Sequence, residues 1–261
     1  MDAFALPDLS TLLVLCLAAA AAGWVDAVSG GGGMLQLPAL LLALPDASPV
    51  NALATNKASS IMGTSAATAT YWRRAAPDVR TALPMVVAAI IGAAAGAATA
   101  QLLPEDVIRT VVVVLLIAVW LFTLLRPQMG RTQELRWHGR RRHYLVATVA
   151  GLVIGFYDGI LGPGTGSFLL IVLVAVLGYS FLNASATAKV VNLGTNLAAL
   201  IVFGVTGSVL WALGLLMGAC NVVGAVVGAR MAVRRGSEFV RLVFLAVVGV
   251  LILRLGWDLV A

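Results

Sequence analysis

A chain of 261 residues that is 61% hydrophobic and only 11% charged cannot be an ordinary soluble domain, whose charged share is nearer ~25%. Its net charge of +6 and pI near 10 would suit nucleic acid, but the arginines sit in short stretches between apolar runs, as the positive-inside rule places them, and no nucleic-acid partner is expected. Cys16 and Cys220 both lie inside apolar runs and read as small buried hydrophobes, with no disulfide framework and no metal or cofactor signature.

Five apolar segments occupy each half. In the first they run over 9–29, 34–45, 50–70, 81–103 and 107–125; in the second, over 144–161, 167–178, 182–203, 209–229 and 239–257. Most approach the ~20 residues that a helix needs to span a bilayer, whereas the second of each half is far too short. The strict alternation of a barrel strand is absent, so the fold class is an all-α polytopic membrane protein. The first segment contains LAAAAAG, which mimics a signal cleavage site, yet residues 1–9 hold no positive charge and the segment recurs at 144–161. It reads as a retained helix. Glycine runs precede both short segments, SGGGG at 29–33 and GPGTG at 162–166. These segments either cross in a thinned region or turn back as re-entrant half-helices. The glycines favour the second, since irregular backbone at membrane depth must be buried in protein or line a cavity.

The halves repeat at an offset of 132 residues. Gly23 matches Gly155, Asp26 matches Asp158, Gly30 matches Gly162, Asn51 matches Asn183, Lys57 matches Lys189, Gly92 matches Gly224 and Arg109 matches Arg241. The basic loop changes place between the halves. Arg73, Arg74 and Arg80 follow the third segment of the first half, where the second half has the uncharged FGVTGS at 203–208. Glu105 and Asp106 follow the fourth segment, where the second half has Arg230, Arg234, Arg235 and Arg241 in a loop at 230–241. Equivalent loops thus face opposite sides, which makes the repeats inverted in topology. The expected organisation is a first membrane repeat over 1–125, a basic cytoplasmic linker over 126–144 and a second repeat over 145–261, together one integral domain. Both termini then lie on the periplasmic side of a bacterial inner membrane.

Lys57 and Lys189 are the only lysines in the chain, and both lie in apolar segments. A lone ammonium in hydrocarbon costs about 2.5–3.5 kcal/mol on insertion scales, so matched buried lysines point to a two-fold anion site. Lys57, Ser60 and Thr64 share one helical face, as do Lys189, Asn192 and Asn196. Each stripe offers one cation and uncharged hydrogen-bonding groups, suited to an oxyanion that must bind and leave. Polar and small residues also mediate helix packing, and Ser60 and Thr64 fit that role too. Gly31, Gly32 and Gly33, and Gly164, Thr165 and Gly166, precede short helices whose free N–H groups could face an anion, or else they pack closely. Asp26 and Asp158 pair with the lysines or carry protons. Arg109 and Arg241 stand at helix ends and are expected to snorkel. His138 and His143 fall in the linker and are assigned no role. Trp24, Tyr71, Trp72, Trp120, Trp137, Tyr144, Trp211 and Trp257 fall mostly near segment ends, as an interfacial belt would.

The strings GWVDAVSGGGGMLQLPALL, NALATNKASSIMG, GFYDGILGPGTGSF and ATAKVVNLGTN resemble the TauE/SafE-type sulfite exporter family over nearly the whole chain. The resembling positions are Asp26, Gly30 to Gly33, Pro38, Thr55, Asn56, Lys57, Asp158, Gly162 to Gly166, Lys189, Asn192 and Asn196. The resemblance implies movement of sulfite, organosulfonates or related small anions across the bacterial inner membrane, with diverse substrates among members. The leading expectation is a secondary transporter working by alternating access, its partners a small anionic solute and the bilayer. A passive anion channel is the close alternative, and a membrane scaffold a further one. An intramembrane aspartyl protease would need an aspartate after the second glycine of a Gly-x-Gly, where this chain has Thr165. The sequence leaves the oligomeric state open, a homo-oligomer included.

Overall fold

The structure, a computed structural model, describes residues 6–45, 47–99, 120–121, 123–125, 130, 132–137 and 139–260, the last ten as backbone only. Glu105, Asp106 and Arg109, His138, Trp257 and most of the expected segment 107–125 lie outside what can be described. Every regular element among the described residues is helical.

Helix α1 (Leu9–Ser29) starts at Asp8, whose carboxylate accepts the Thr11 N–H, and ends at Gly30 in the left-handed conformation, φ 82°, where glycine meets no Cβ penalty. Hydrogen bonds from Ser10 and Thr11 hold the Asp8 carboxyl down at about 2. Helix α2 (Gly33–Ala43) has 11 residues, about 16 Å at ~1.5 Å per residue, roughly half the hydrocarbon thickness. Helix α3 (Pro49–Trp72) opens on Ser48 as cap and proline in its first turn, and α4 spans Val79–Thr99. In the second half, α5 (Arg141–Ile160) leads to the seven-residue α6 (Thr165–Ile171), which runs into a π-turn over Val172–Val176. Helix α7 (Phe181–Val205) is capped by Ser180. Helix α8 (Trp211–Val260) is broken at Gly236, φ 75° and ψ −166°.

Five helices are long and apolar enough to cross a membrane: α1, α4, α5, α7 and α8. Helix α3 has 24 residues but buries Thr55, Asn56, Lys57, Ser59 and Thr64 against other helices, which is why its composition falls short. The expected loop at 230–241 is helical apart from Gly236, and Arg230, Arg234 and Arg235 are exposed along it. A single left-handed glycine redirects the chain without a loop.

The long helices pack on small residues, and contacts recur with the halves exchanged. A methyl group at Gly155 on α5 would overlap the Ala89 carbonyl of α4; one at Gly23 on α1 would overlap the Asn221 carbonyl of α8. Gly92 stands against Leu152 as Gly224 stands against Ala20, and Gly96 against Phe156 as Gly228 against Trp24. Each second contact is the first displaced by 132 residues. The Thr187 hydroxyl accepts the Asp78 N–H at 3.3 Å, and the Thr55 hydroxyl accepts the Leu210 N–H at 3.1 Å, again at matched positions. Helix α1 therefore meets α8 as α5 meets α4. In hydrocarbon the gain comes from close van der Waals approach, which small residues permit.

Three expectations about peripheral residues change. Tyr71 is fully buried and donates to the Ala27 carbonyl at 2.9 Å, so it braces α3 on α1 and does not belong to an interfacial belt. Arg241 reaches the Thr123 carbonyl at 2.9 Å, spending its guanidinium on the chain rather than snorkelling. His143 is fully buried in the first turn of α5. Its Nδ1 donates to the Arg136 carbonyl at 2.8 Å and its Nε2 lies 2.9 Å from Thr81 Oγ1. Tyr179 donates to Asp78 in the same cluster, and burial together with that bond pushes its phenol well above the usual range. This polar cluster ties the linker to the starts of α4 and α5. Of the four matching positions, Leu210, Leu213 and Ala47 are apolar and Thr11 alone is polar, so the cluster has no counterpart in the other half.

Candidate functional site

The ends of α1 and α5 bring the two glycine runs face to face. Gly30 and Gly162 both adopt positive φ, 82° and 80°, which turns each chain out of its helix. Gly30 packs flat on Gly166, where any Cβ would overlap backbone. Ser167 seals the crossing by donating its N–H to the Gly30 carbonyl at 3.2 Å and its hydroxyl to the Ser29 carbonyl at 2.9 Å. Irregular backbone is thereby buried in protein, as membrane depth requires.

Beside this crossing buried Lys57, Asp158 and Lys189 and the partly buried Asp26 meet across the halves. Lys57 of α3 lies 2.7 Å from Asp158 Oδ2 of α5, with 2% and 1% of the side chains exposed. Lys189 of α7 lies 2.8 Å from Asp26 Oδ2 of α1, with 2% and 16% exposed. Each lysine takes the aspartate of the other half, so one pair is the other with the halves exchanged. Isolated charges would be prohibitive here, and pairing cuts that cost.

The surroundings of the pairs differ. Asp158 Oδ1 accepts from the Thr165 hydroxyl at 2.6 Å. Lys57 meets Asp158 as an ion pair and donates to Asn196 Oδ1 at 3.3 Å, while Asn196 Nδ2 reaches Thr64 Oγ1 at 3.4 Å. Thr165 corresponds to Gly33 in the first half, so Asp26 has no such hydroxyl. Lys189 donates to Asp26 in an aligned hydrogen bond.

A cavity of about 20 Å³ lies between the pairs, room for one or two water molecules at ~10–15 Å³ each. Its wall is formed by Asp26, Gly30 and Gly33 from the first crossing, Asn56, Lys57 and Ser60 from α3, Asp158, Gly162, Thr165 and Gly166 from the second, and Asn192 and Asn196 from α7. Lys189 stands behind Asp26, outside the wall, and Thr64 stands behind Asn196. Gly31, Gly32 and Gly164 are also outside it: Gly31 faces Val25 and Val247, Gly32 the Ala22 carbonyl, and Gly164 the Met34 side chain. The N–H groups of Met34, Leu35, Thr165 and Ser167 are bonded within the protein. Asn56 lines the cavity with its Oδ1 unpaired. It was marked by its place beside Lys57 in the family-like string, but its stripe position gave no signal, because the matching residue is Ala188.

A wall of two carboxylates, one direct cation and uncharged amides and hydroxyls can exchange protons and bind a small polar solute. Among the described residues no group of histidine, cysteine or carboxylate side chains could hold a metal ion. The model of the family described as "Sulfite exporter TauE/SafE" matches residues 15–255. The chain belongs to the TauE/SafE sulfite exporter family. It is 39% identical over 231 residues to "Probable membrane transporter protein ORF9" of Sinorhizobium sp, covering 88% of this chain and 86% of that protein. It is 34% identical over 247 residues to "Probable membrane transporter protein YfcA" of Escherichia coli strain K12, covering 94% and 89%. A "Probable membrane transporter protein" of Haemophilus influenzae is 32% identical, covering 88% of each. No solved structure matches the chain significantly. As a TauE/SafE member with five helices fit to cross a bilayer, the chain is a multi-pass membrane transporter.

Proposed function

We propose that this TauE/SafE member is a secondary transporter that moves a small anion, such as sulfite, an organosulfonate or a related sulfur oxyanion, across the inner membrane by alternating access. The observation that carries the reading is the exchanged pair of buried ion pairs, Lys57–Asp158 and Lys189–Asp26. In this reading two repeats of inverted topology, 1–125 and 145–261, supply half of each pair, and the distribution of arginines among the loops supports termini in the periplasm and 126–144 in the cytoplasm. A rocking motion of one repeat on the other exposes the same residues to alternate sides. Lys57 and Lys189 attract the anion; Asn192, Asn196 and Ser60, with the more peripheral Thr64, supply uncharged partners; the glycine runs Gly31 to Gly33 and Gly164 to Gly166 let backbone approach closely. The cavity holds little more than water, so a polyatomic anion enters only when the helices part. That favours a carrier over a continuously open channel.

A thermal-shift screen of the detergent-solubilised protein against sulfite, sulfate, thiosulfate, sulfonates and carboxylates tests the substrate class. A bound anion raises apparent stability by ~2.7 kcal/mol at a hundredfold excess over its dissociation constant. Saturable stabilisation by a sulfur oxyanion, lost in Lys189→Ala, is the expected result. Stabilisation by carboxylates alone would move the substrate elsewhere, and none by any anion would remove the reading.

A further inference from the structure

We propose that Asp26 is the proton site of this transporter and takes up one proton for each monovalent oxyanion bound, so that the anion travels with H⁺. The inference rests on the anion-transport reading and adds its coupling ion.

Buried Lys57, Lys189 and Asp158 and the partly exposed Asp26 form two ion pairs at one cavity, and their formal charges cancel. An entering anion would leave this low-dielectric site one negative charge in excess, which burial penalises heavily. Moreover, both carboxylates front the cavity whereas Lys57 alone of the lysines does; Lys189 lies behind Asp26. The resting wall therefore repels an anion until one carboxylate is neutralised.

The two carboxylates are not equivalent. Asp158 is 1% exposed, ion-paired to Lys57 and held by the Thr165 hydroxyl, which suits a permanent carboxylate. Asp26 is 16% exposed, faces the cavity, and has Gly33 where Asp158 has Thr165. It can release Lys189 and leave no second donor unsatisfied. A proton from water on the open side adds to an Asp26 carboxylate oxygen, no other bond changes, and Lys189 becomes the uncompensated cation. The anion then binds and restores neutrality, with the new carboxylic acid available to donate to it. Charge before and after is the same.

The groups facing Asp26 are consistent with this assignment. Lys189 approaches from α7 at 2.8 Å, and Tyr71 of α3 donates to the Ala27 carbonyl, one residue along α1 from Asp26. Lys57 of α3 and Asp158 of α5 share the cavity. Helices α2 and α6 contain no titratable residue. The charged residues of α8 from Arg230 to Glu238 are exposed.

The probe is isethionate, a strong-acid monoanion that brings no proton of its own near neutral pH. Titrated into the solubilised protein in weakly buffered solution with a pH dye, it should cause uptake of one proton per anion bound. Its affinity should weaken as pH rises, by up to about tenfold per pH unit for uptake of one proton. In Asp26→Asn the proton uptake and the pH dependence both disappear. Asp26→Glu, which keeps a carboxyl, retains them. Should Asp26→Asn fail to fold, the wild-type infrared difference spectrum decides: isethionate should raise a carboxylic-acid C=O band that shifts in Asp26→Glu. Binding without proton uptake, uptake that persists in folded Asp26→Asn, or no such band would each overturn the assignment while leaving anion transport intact. A wild-type protein that neither exchanges isethionate in proteoliposomes nor is stabilised by it loses the sulfonate reading, and the inference goes with it.

Discussion

Lys57–Asp158 and Lys189–Asp26 use the same two positions of the repeat, yet one is sealed, with Asp158 1% exposed and held by the Thr165 hydroxyl, and the other more open, with Asp26 16% exposed. Four side-chain differences between the halves surround the pairs: Thr165 against Gly33, Asn196 against Thr64, Asn192 against Ser60 and Ala188 against Asn56. The backbone scaffold is shared, as the matched glycine contacts and the Thr55 and Thr187 hydrogen bonds show. Symmetry of the chain thus builds the site, and a few side chains divide its labour. In the proposed transporter, one pair would hold the helices together while the other exchanges partners.

The largest effect should follow from breaking the sealed pair. Lys57→Ala leaves the Asp158 carboxylate buried and uncompensated, a loss of about 3–5 kcal/mol. Lys189→Ala should cost less, about 1–3 kcal/mol, because Asp26 is already partly exposed and can reach water. Unfolding of the solubilised variants measures both. Equal losses would mean that the sealed and open environments do not differ energetically.

Next come the glycines. Gly23→Ala and Gly155→Ala each drive a methyl group into a carbonyl of the facing helix, and overpacking of this kind costs about 1–3 kcal/mol. Their melting shifts should agree closely if the two helix interfaces are equivalent. A large loss for one and none for the other would break the exchange relation.

Thr165→Val removes the hydroxyl from Asp158 at a cost of about 1–2 kcal/mol. The smallest change sharpens the comparison in the other direction. A Cβ at Gly33 would meet Pro163 Cα at 3.5 Å and Asn56 Nδ2 at 3.7 Å, so Gly33→Ser fits with a stability change within about 0.5 kcal/mol. It supplies Asp26 with the hydroxyl it lacks and should slow anion exchange.

Much of this arrangement is legible in the sequence because hydrocarbon leaves few choices. Apolar runs long enough to span mark α1, α4, α5, α7 and most of α8, and a buried lysine demands a partner or a ligand. Which aspartate each lysine takes is not legible. Asp26 lies nearer in sequence to Lys57 than to Lys189, and only the fold, which ties the end of α1 to α7 through the Ser185 hydroxyl on the Val28 carbonyl, brings the distant partner to it. Nor is the buried cluster of His143, Thr81, Tyr179 and Asp78 legible. A histidine amid six arginines reads as solvated loop until the linker folds back onto α4 and α5. The single-residue break at Gly236 escapes notice for a related reason: four arginines over 230–241 look like a loop, although exposed arginines suit a helix end equally well.

Exchange of ³⁵S-sulfite across proteoliposomes containing wild type, Lys57→Ala or Lys189→Ala tests the central claim most directly. Wild type should exchange label, and each variant that remains folded and monodisperse should lose exchange, because each lysine supplies one half of a single anion site. Exchange at the wild-type rate by either folded variant would contradict the account for that lysine.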